Sequence, residues 1–236
     1  MRRAFRILGR ITVRLSLLAV LLWGGWWLVM DPESPLPPEW NPMEPLDVAA
    51  TETWLTGVKL RRALGSDATC LAALATGAEF TSMPPLVEGE CGIDPRVSLS
   101  RLGKVALDPV ETTCAVALRA AMWERHALRP AAGALGSPMV RIRHQGSYNC
   151  RPIRGETRRL STHANARALD VRGVDLADGR RLELRSDWAD GGPNGEFWHA
   201  ARDGACDWFV TVLGPDYNAL HADHFHMQST GWGLCR

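Results

Sequence analysis

The feature that most constrains this chain is a charge-free run, "LSLLAVLLWGGWWLVM" (Leu15–Met30), directly behind the arginine-rich "MRRAFRILGRITVR". Sixteen residues of helix reach about 24 Å, a little short of a hydrocarbon core about 30 Å thick. Ile11–Val13 can lengthen the span while the Arg14 head snorkels toward the headgroups. Arginines ahead of the run predict a cytoplasmic amino terminus and an exported remainder. A cleaved signal peptide is the competing reading. The stretch that follows, "WWLVMDPESPLPP", offers no A-x-A-like site of small residues, so we read a retained single-pass anchor.

Export decides how the six cysteines are read. An even number in an oxidising compartment predicts three disulfides, and pairing of sequence neighbours gives Cys70–Cys91, Cys114–Cys150 and Cys206–Cys235. A cysteine zinc site is disfavoured because no CxxC occurs. Lys and Arg total 27 against 26 Asp and Glu, so no basic excess exists to hold a nucleic acid, and none is expected as a partner.

The 236 residues suit one medium domain with attachments. Residues 1–30 hold the arginines and the span. Residues 31–46 carry six prolines and read as an extended, stiff spacer. Residues 47–69 are compatible with a lead-in helix, and 70–236 look like one α+β unit. Within it, "DPVETTCAVALRAAMWERHAL" predicts a helix with Asp108 as N-cap, Pro109 in the first turn and Glu111 completing a capping box. Val110, Cys114, Leu118 and Met122 would form its buried stripe, and Arg129-Pro130 would end it. Strands are expected at Met139–His144, on both sides of the Asp178-Gly179 turn, and in "DWFVTVLG". A second helix is expected over Gly195–Gly204 behind Asn194. Such an element mix predicts an antiparallel sheet with flanking helices.

Chemistry concentrates in "HADHFH" (221–226). Residues two apart in a strand point the same way, so His224 and His226 would share a face and His221, Asp223 and Phe225 the other. Upstream, "LSTHANARALDVRG" holds His163 and Asp170, the latter on a strand whose Leu169 and Val171 would point into the core. His163, Asp170 and one of the two same-face histidines would give three zinc ligands and an open position, as a catalytic zinc requires. The other histidine would stand near the metal-bound water. Asp223 is second shell if the strand is regular and a base if the chain turns there. "EFWH" (Glu196–His199) could place two groups on one helix face, but reads better as an amphipathic surface helix. Arg151 could bind a substrate carboxylate. Ser161 would brace the loop before His163, and His126 and His144 are assigned no role.

From about Cys70 onward the chain resembles the bacterial extensin-like C-terminal domain. That domain is similar to zinc peptidases of the lysostaphin, D-Ala-D-Ala carboxypeptidase and hedgehog fold group, with their S-x-H-x-x-G-x-A-x-D and later H-x-H. Ser161, His163, Ala168 and Asp170 match the first element; His224 and His226 match the second. "GSYNCRP", "DGAC" and "VLGPDYNALHADHFH" also look like the extensin-like domain. The resemblance implies His163, Asp170 and His226 as zinc ligands and His224 as the catalytic neighbour. It implies a hedgehog/D-Ala-D-Ala-peptidase-like fold and a zinc metallopeptidase acting on peptidoglycan peptides, tethered to the bacterial inner membrane with its domain in the periplasm. Ala166 stands where the pattern has glycine, and a positive φ there would strain the loop. That departure favours the alternative, a peptidoglycan-binding or envelope-structural domain without turnover. A purely structural metal, with four protein ligands, is a third expectation.

Overall fold

The computed structural model describes residues 2–236; the side chains of Arg2, Arg3 and Arg6, three of the arginines expected to face the cytoplasm, lie outside the described residues. Two compact units result, one of residues up to Leu46 with Thr51–Leu60, the other of Asp47–Ala50 with Arg61–Arg236.

The first unit is dominated by helix α1 (Arg2–Met30), in which Ile7–Met30 is long and apolar enough to cross a membrane or to serve as a signal sequence. Its 24 residues correspond to about 36 Å. Trp23, Trp26 and Trp27 are exposed near its carboxyl end, where an aromatic belt would meet a headgroup layer. The proline-rich segment is not extended throughout. A 3-10 turn forms at Pro38–Trp40, and the Asn41 amide donates to the Val29 carbonyl at 3.0 Å, folding the chain back on the helix end. The lead-in helix is confined to α2 (Thr56–Ala63).

The second unit begins its regular structure with α3 (Asp67–Leu74), capped by Ser66. Strands β1 (Ala78–Met83), β2 (Leu86–Glu88), β3 (Cys91–Ile93), β4 (Arg96–Leu102) and β5 (Val105–Thr113) precede helix α4 (Cys114–Trp123) and α5 (Arg129–Gly133). Then come β6 (Met139–Gly146), β7 (Ala168–Leu176), β8 (Arg181–Glu183), α6 (Leu184–Asp187), α7 (Pro193–Trp208), β9 (Thr211–Leu213) and β10 (Phe225–Gln228). The main sheet runs β1-β4-β5-β6-β7-β10-β9, with β8 pairing β7 and β2-β3 a separate hairpin. All its pairs are antiparallel except β5 with β6. Mixed α+β architecture with a mostly antiparallel sheet is therefore as expected. Helix α4 packs against α3, α7, β4 and β5, and Trp123, Trp198, Phe225 and Leu169 are fully buried.

Three expectations are corrected. The helix expected from Asp108 starts only at Cys114, because Val105–Thr113 pairs with β4 and β6. Sheet pairing overrides the local capping signal, with Asp108 and Pro109 exposed beside a register shift where proline is tolerated. Thr113 takes the cap role, its hydroxyl accepting from Val116 N–H at 3.4 Å. Arg129-Pro130 does not stop the helix. A π turn over Glu124–Leu128, in which Arg129 N–H reaches the Glu124 carbonyl, accommodates the proline, and α5 continues to Gly133. Two of the three disulfides differ: Cys70 bonds Cys114 and Cys91 bonds Cys150, while Cys206–Cys235 is as expected. Packing of α3 on α4 brings Cys70 and Cys114 to a Cα separation of 6.2 Å. Sequence proximity carries no such information.

The later elements follow the sequence more closely. The Asp178-Gly179 turn joins β7 to β8, with Gly179 at φ 90. Helix α7 is longer than expected and starts behind Gly192 rather than Asn194.

Candidate metal centre

Strands β7 and β10 pair so that Asp170 lies directly opposite His226. The third member arrives from the loop before β7. Ser161 accepts from His163 N–H at 3.3 Å, a 3-10 turn spans Thr162–Asn165, and Ala166 adopts a left-handed conformation, φ 46 and ψ 38. His163 is thereby turned over the two strands. Its Nε2 stands 3.1 Å from Asp170 Oδ2 and 3.1 Å from His226 Nδ1, while His226 Nδ1 lies 2.7 Å from Asp170 Oδ1. One ligand atom from each of the three residues falls within 4.8 Å of the others.

Each ring is oriented from behind. His163 Nδ1 meets the Ser147 carbonyl at 2.9 Å, which fixes this nitrogen as the donor and turns Nε2 inward. His226 Nε2 faces the Thr162 hydroxyl at 3.4 Å. The Ala166 turn is anchored through its carbonyl, which accepts from Thr113 N–H at 3.4 Å and from the Thr113 hydroxyl at 3.2 Å. The cap of α4 and the loop carrying His163 thus share one threonine.

Electrostatics follow from this burial. Desolvation pushes the Asp170 carboxyl up, but hydrogen bonds from His163 and His226 and their charges outweigh it and hold it far below the usual carboxylate range. Desolvation lowers His163, yet its hydrogen bond to Asp170, that carboxylate's charge and the Ser147 carbonyl leave it raised overall. For His226 desolvation prevails over Asp170 and the pKa falls.

His224 precedes β10 rather than lying within it, but its Nε2 still stands 3.7 Å from Asp170 Oδ2. Its Nδ1 is 2.8 Å from Asp223 Oδ1. A turn does occur at Ala222–Asp223, and it delivers Asp223 to His224 rather than to the three-residue cluster. That hydrogen bond holds the Asp223 carboxyl below its ordinary value. The His221 ring lies 5.4 Å from that of His224 and 5.7 Å from that of His226, and burial with their charges lowers its pKa to about 4. His221 Nδ1 meets Asn218 Oδ1 at 2.8 Å.

A family model described as "Extensin-like protein C-terminus" matches residues 68–236, well over half of the chain. The chain belongs to the extensin-like family. No curated protein and no solved structure matches it. The cluster, the three disulfides and the sheet all lie within the matched region.

Within this extensin-like domain, the residues singled out in the sequence separate into two groups. His163, Asp170, His224 and His226 converge, with Asp223 behind His224. Arg151 lies at the edge, half-buried, its charge acting on His163 and its Nη1 donating to the Pro152 carbonyl at 3.2 Å. Glu196 and His199 are exposed on α7, and His199 stacks on Trp188 at 4.1 Å. His126 meets the Val48 carbonyl and His144 the Asp108 carbonyl. Ser147, Thr162 and Asn218 were not legible as site residues. Ser147 acts through its backbone carbonyl and Thr162 through a hydroxyl that meets a residue far along the chain, while Asn218 braces His221 locally; only the position of Thr162 beside His163 gave a signal.

The donor set fits zinc. Tetrahedral ligands about 2.0–2.1 Å from a metal stand about 3.3 Å apart; His163 Nε2 and His226 Nδ1 are 3.1 Å apart, and each reaches its own oxygen of the Asp170 carboxylate, at 3.1 and 2.7 Å. Two imidazole nitrogens and a carboxylate, with one imidazole braced by a backbone carbonyl, is the chemistry of a site that leaves one position open.

Proposed function

We propose that this extensin-like protein is an exported zinc hydrolase of peptide bonds in peptidoglycan. On this reading α1 is retained in the bacterial inner membrane, residues 31–46 space the protein from it, and residues 70–236 work in the periplasm. The observation that carries the proposal is the convergence of His163, Asp170 and His226 with His224 Nε2 only 3.7 Å from the shared carboxylate. Zinc held by those three residues would polarise a scissile carbonyl and lower the pKa of a water.

The remaining steps belong to the protein. His224 donates its Nδ1–H to the Asp223 carboxylate in a hydrogen bond, so Nε2 is the face that takes a proton and returns it to the leaving amine. Asp223 holds that tautomer and stabilises the imidazolium. Arg151 receives a substrate carboxylate. The ligand-bearing antiparallel pair β7-β10 supports kinship with the hedgehog and D-Ala-D-Ala peptidase fold group. Ala166, the feature that favours binding without turnover, has not displaced His163, which remains 3.1 Å from Asp170.

Metal analysis and digestion of purified sacculi test the proposal. Wild-type protein should bind zinc and release soluble muropeptides. His224→Ala should keep the metal and lose release, and His226→Ala should lose both. Release by His226→Ala at the wild-type rate would sink the assignment.

A further inference from the structure

The segment Cys150–Leu160, "CRPIRGETRRL", holds four arginines against one glutamate, in a chain whose whole balance is +1. It forms a small hairpin. Pro152 bridges Leu160, Ile153 N–H donates to the Arg159 carbonyl at 2.9 Å, and Ser161 N–H donates to the Arg151 carbonyl at 3.0 Å. Its tip is a turn closed by Glu156 N–H to the Ile153 carbonyl at 2.9 Å. Gly155, at φ 85, supplies the third-position residue that a type II turn requires, which puts Arg154 at the second position, exposed at the tip.

The root is fixed beside the candidate metal centre. Cys150 is tied to Cys91 of β3, and Ser161, which closes the hairpin, caps the His163 turn. Arg151 and Arg154 also stand close enough for their charges to act on His163 and His221. Yet the guanidiniums are not neutralised from within. Arg159 pairs with Glu156 at 3.4 Å, whereas Arg151, Arg154 and Arg158 make no ion pair among the described residues. Nearby acids are engaged elsewhere: Glu88 accepts from Tyr148, Asp223 from His224, and Asp170 from the two histidines.

Unpaired guanidiniums in a fixed arm are suited to planar carboxylates and disfavour cationic ligands. We propose that the Cys150–Leu160 hairpin is a carboxylate-recognition arm, with Arg154 at its tip as a specificity-determining residue and Arg151 at its root. It selects peptides that carry free carboxylates beside the bond presented to the cluster. The proposal rests on the peptidase reading for where the peptide lies; the carboxylate preference itself is measured by binding alone.

The test uses the full chain in detergent, loaded with zinc, and the stem tetrapeptide L-Ala-D-Glu-L-Lys-D-Ala with its carboxylates either free or all amidated. Equilibrium dialysis should show the free-acid peptide binding about tenfold tighter, the gain expected of one charge-assisted contact. Arg154→Gln should remove most of that preference while leaving the amidated peptide's Kd, the zinc content and the melting temperature unchanged. Equal affinity for the two peptides, binding of neither, or an equal loss for both in Arg154→Gln would each overturn the arm. Retained carboxylate preference without release of muropeptides from sacculi would overturn the peptidase reading and leave the arm standing.

Discussion

Ala166 is the only non-glycine residue with positive φ among the described residues, and it sits in the loop that carries His163. Replacing it by glycine sets three effects against each other. Relief of the left-handed conformation contributes about 1–2 kcal/mol in favour of glycine. Greater freedom of the unfolded chain costs about 0.4–1 kcal/mol. Ala166 is completely buried, so losing its methyl costs about 0.8 kcal/mol more. The terms nearly cancel, and Ala166→Gly should shift stability by less than about 1 kcal/mol. Zinc affinity should change little, because the Ala166 carbonyl stays anchored to Thr113 whichever residue is present. Ala166→Val is different: a β-branched side chain in that conformation and in a filled site should cost about 2–5 kcal/mol. Urea unfolding gives the first comparison and competition with a chromophoric chelator the second. A glycine variant more stable by over about 2 kcal/mol, or binding zinc tenfold tighter, would show that the methyl is uncompensated strain and refute the reasoning.

Four further outcomes are expected. Zinc at about 100 times its Kd should stabilise the wild-type domain by about 2.7 kcal/mol and leave His163→Ala unaffected, as thermal unfolding with and without chelator would report. Asp223→Asn should lower kcat at least tenfold with zinc content unchanged, because His224 loses the carboxylate charge that fixes its tautomer and stabilises its imidazolium; an unchanged kcat would remove Asp223 from the proton path. In the metal-free protein, His221 has a folded pKa of about 4 against an unfolded 6.5, so the unfolded chain binds the proton first as pH falls. Its contribution to stability is therefore lost progressively from pH 6.5 to about 4, and His221→Gln should flatten the unfolding profile there; an unaltered slope would contradict the sign. Replacing Cys91 and Cys150 together by alanine opens a 59-residue separation and should cost about 4 kcal/mol on the loop-entropy account, checked by denaturant midpoint, with non-reducing peptide maps reporting the Cys70–Cys114 link intact.

What the sequence made legible was what depends on short-range periodicity or fixed spacing. Alternation in "ALDV" puts Asp170 and Leu169 on opposite faces, and β7 does so, pairing Asp170 with His226. The apolar run at the amino terminus and the two strands around Gly179 are of the same kind. What failed depends on which segments meet. Asp108, Pro109 and Glu111 satisfy a helix cap locally, but pairing with β4 satisfies more of the backbone and moves the cap to Thr113. Cys114 then faces α3 and bonds Cys70, which separation along the chain could not disclose. Ser147 was invisible for the same reason: its carbonyl reaches His163 across sixteen residues, and no side-chain pattern marks a backbone acceptor.

The cluster itself explains why two chemically equal histidines become unequal. Both reach Asp170, but His163 also donates to a fixed carbonyl, whereas His226 has only a hydroxyl behind it at 3.4 Å. Burial lowers both, but at His163 the Asp170 carboxylate and then the Ser147 carbonyl outweigh it, whereas at His226 burial and the charges of His163 and His224 prevail over Asp170. Both rings donate to Asp170 in the metal-free arrangement, so a metal taking their inward nitrogens would have to displace those protons. His224 is placed outside this exchange by Asp223, which fixes its Nδ1 and leaves Nε2 facing the shared carboxylate from 3.7 Å. The two histidines of H-x-H thus differ in what stands behind each ring as well as in strand placement, since only His226 lies in the strand.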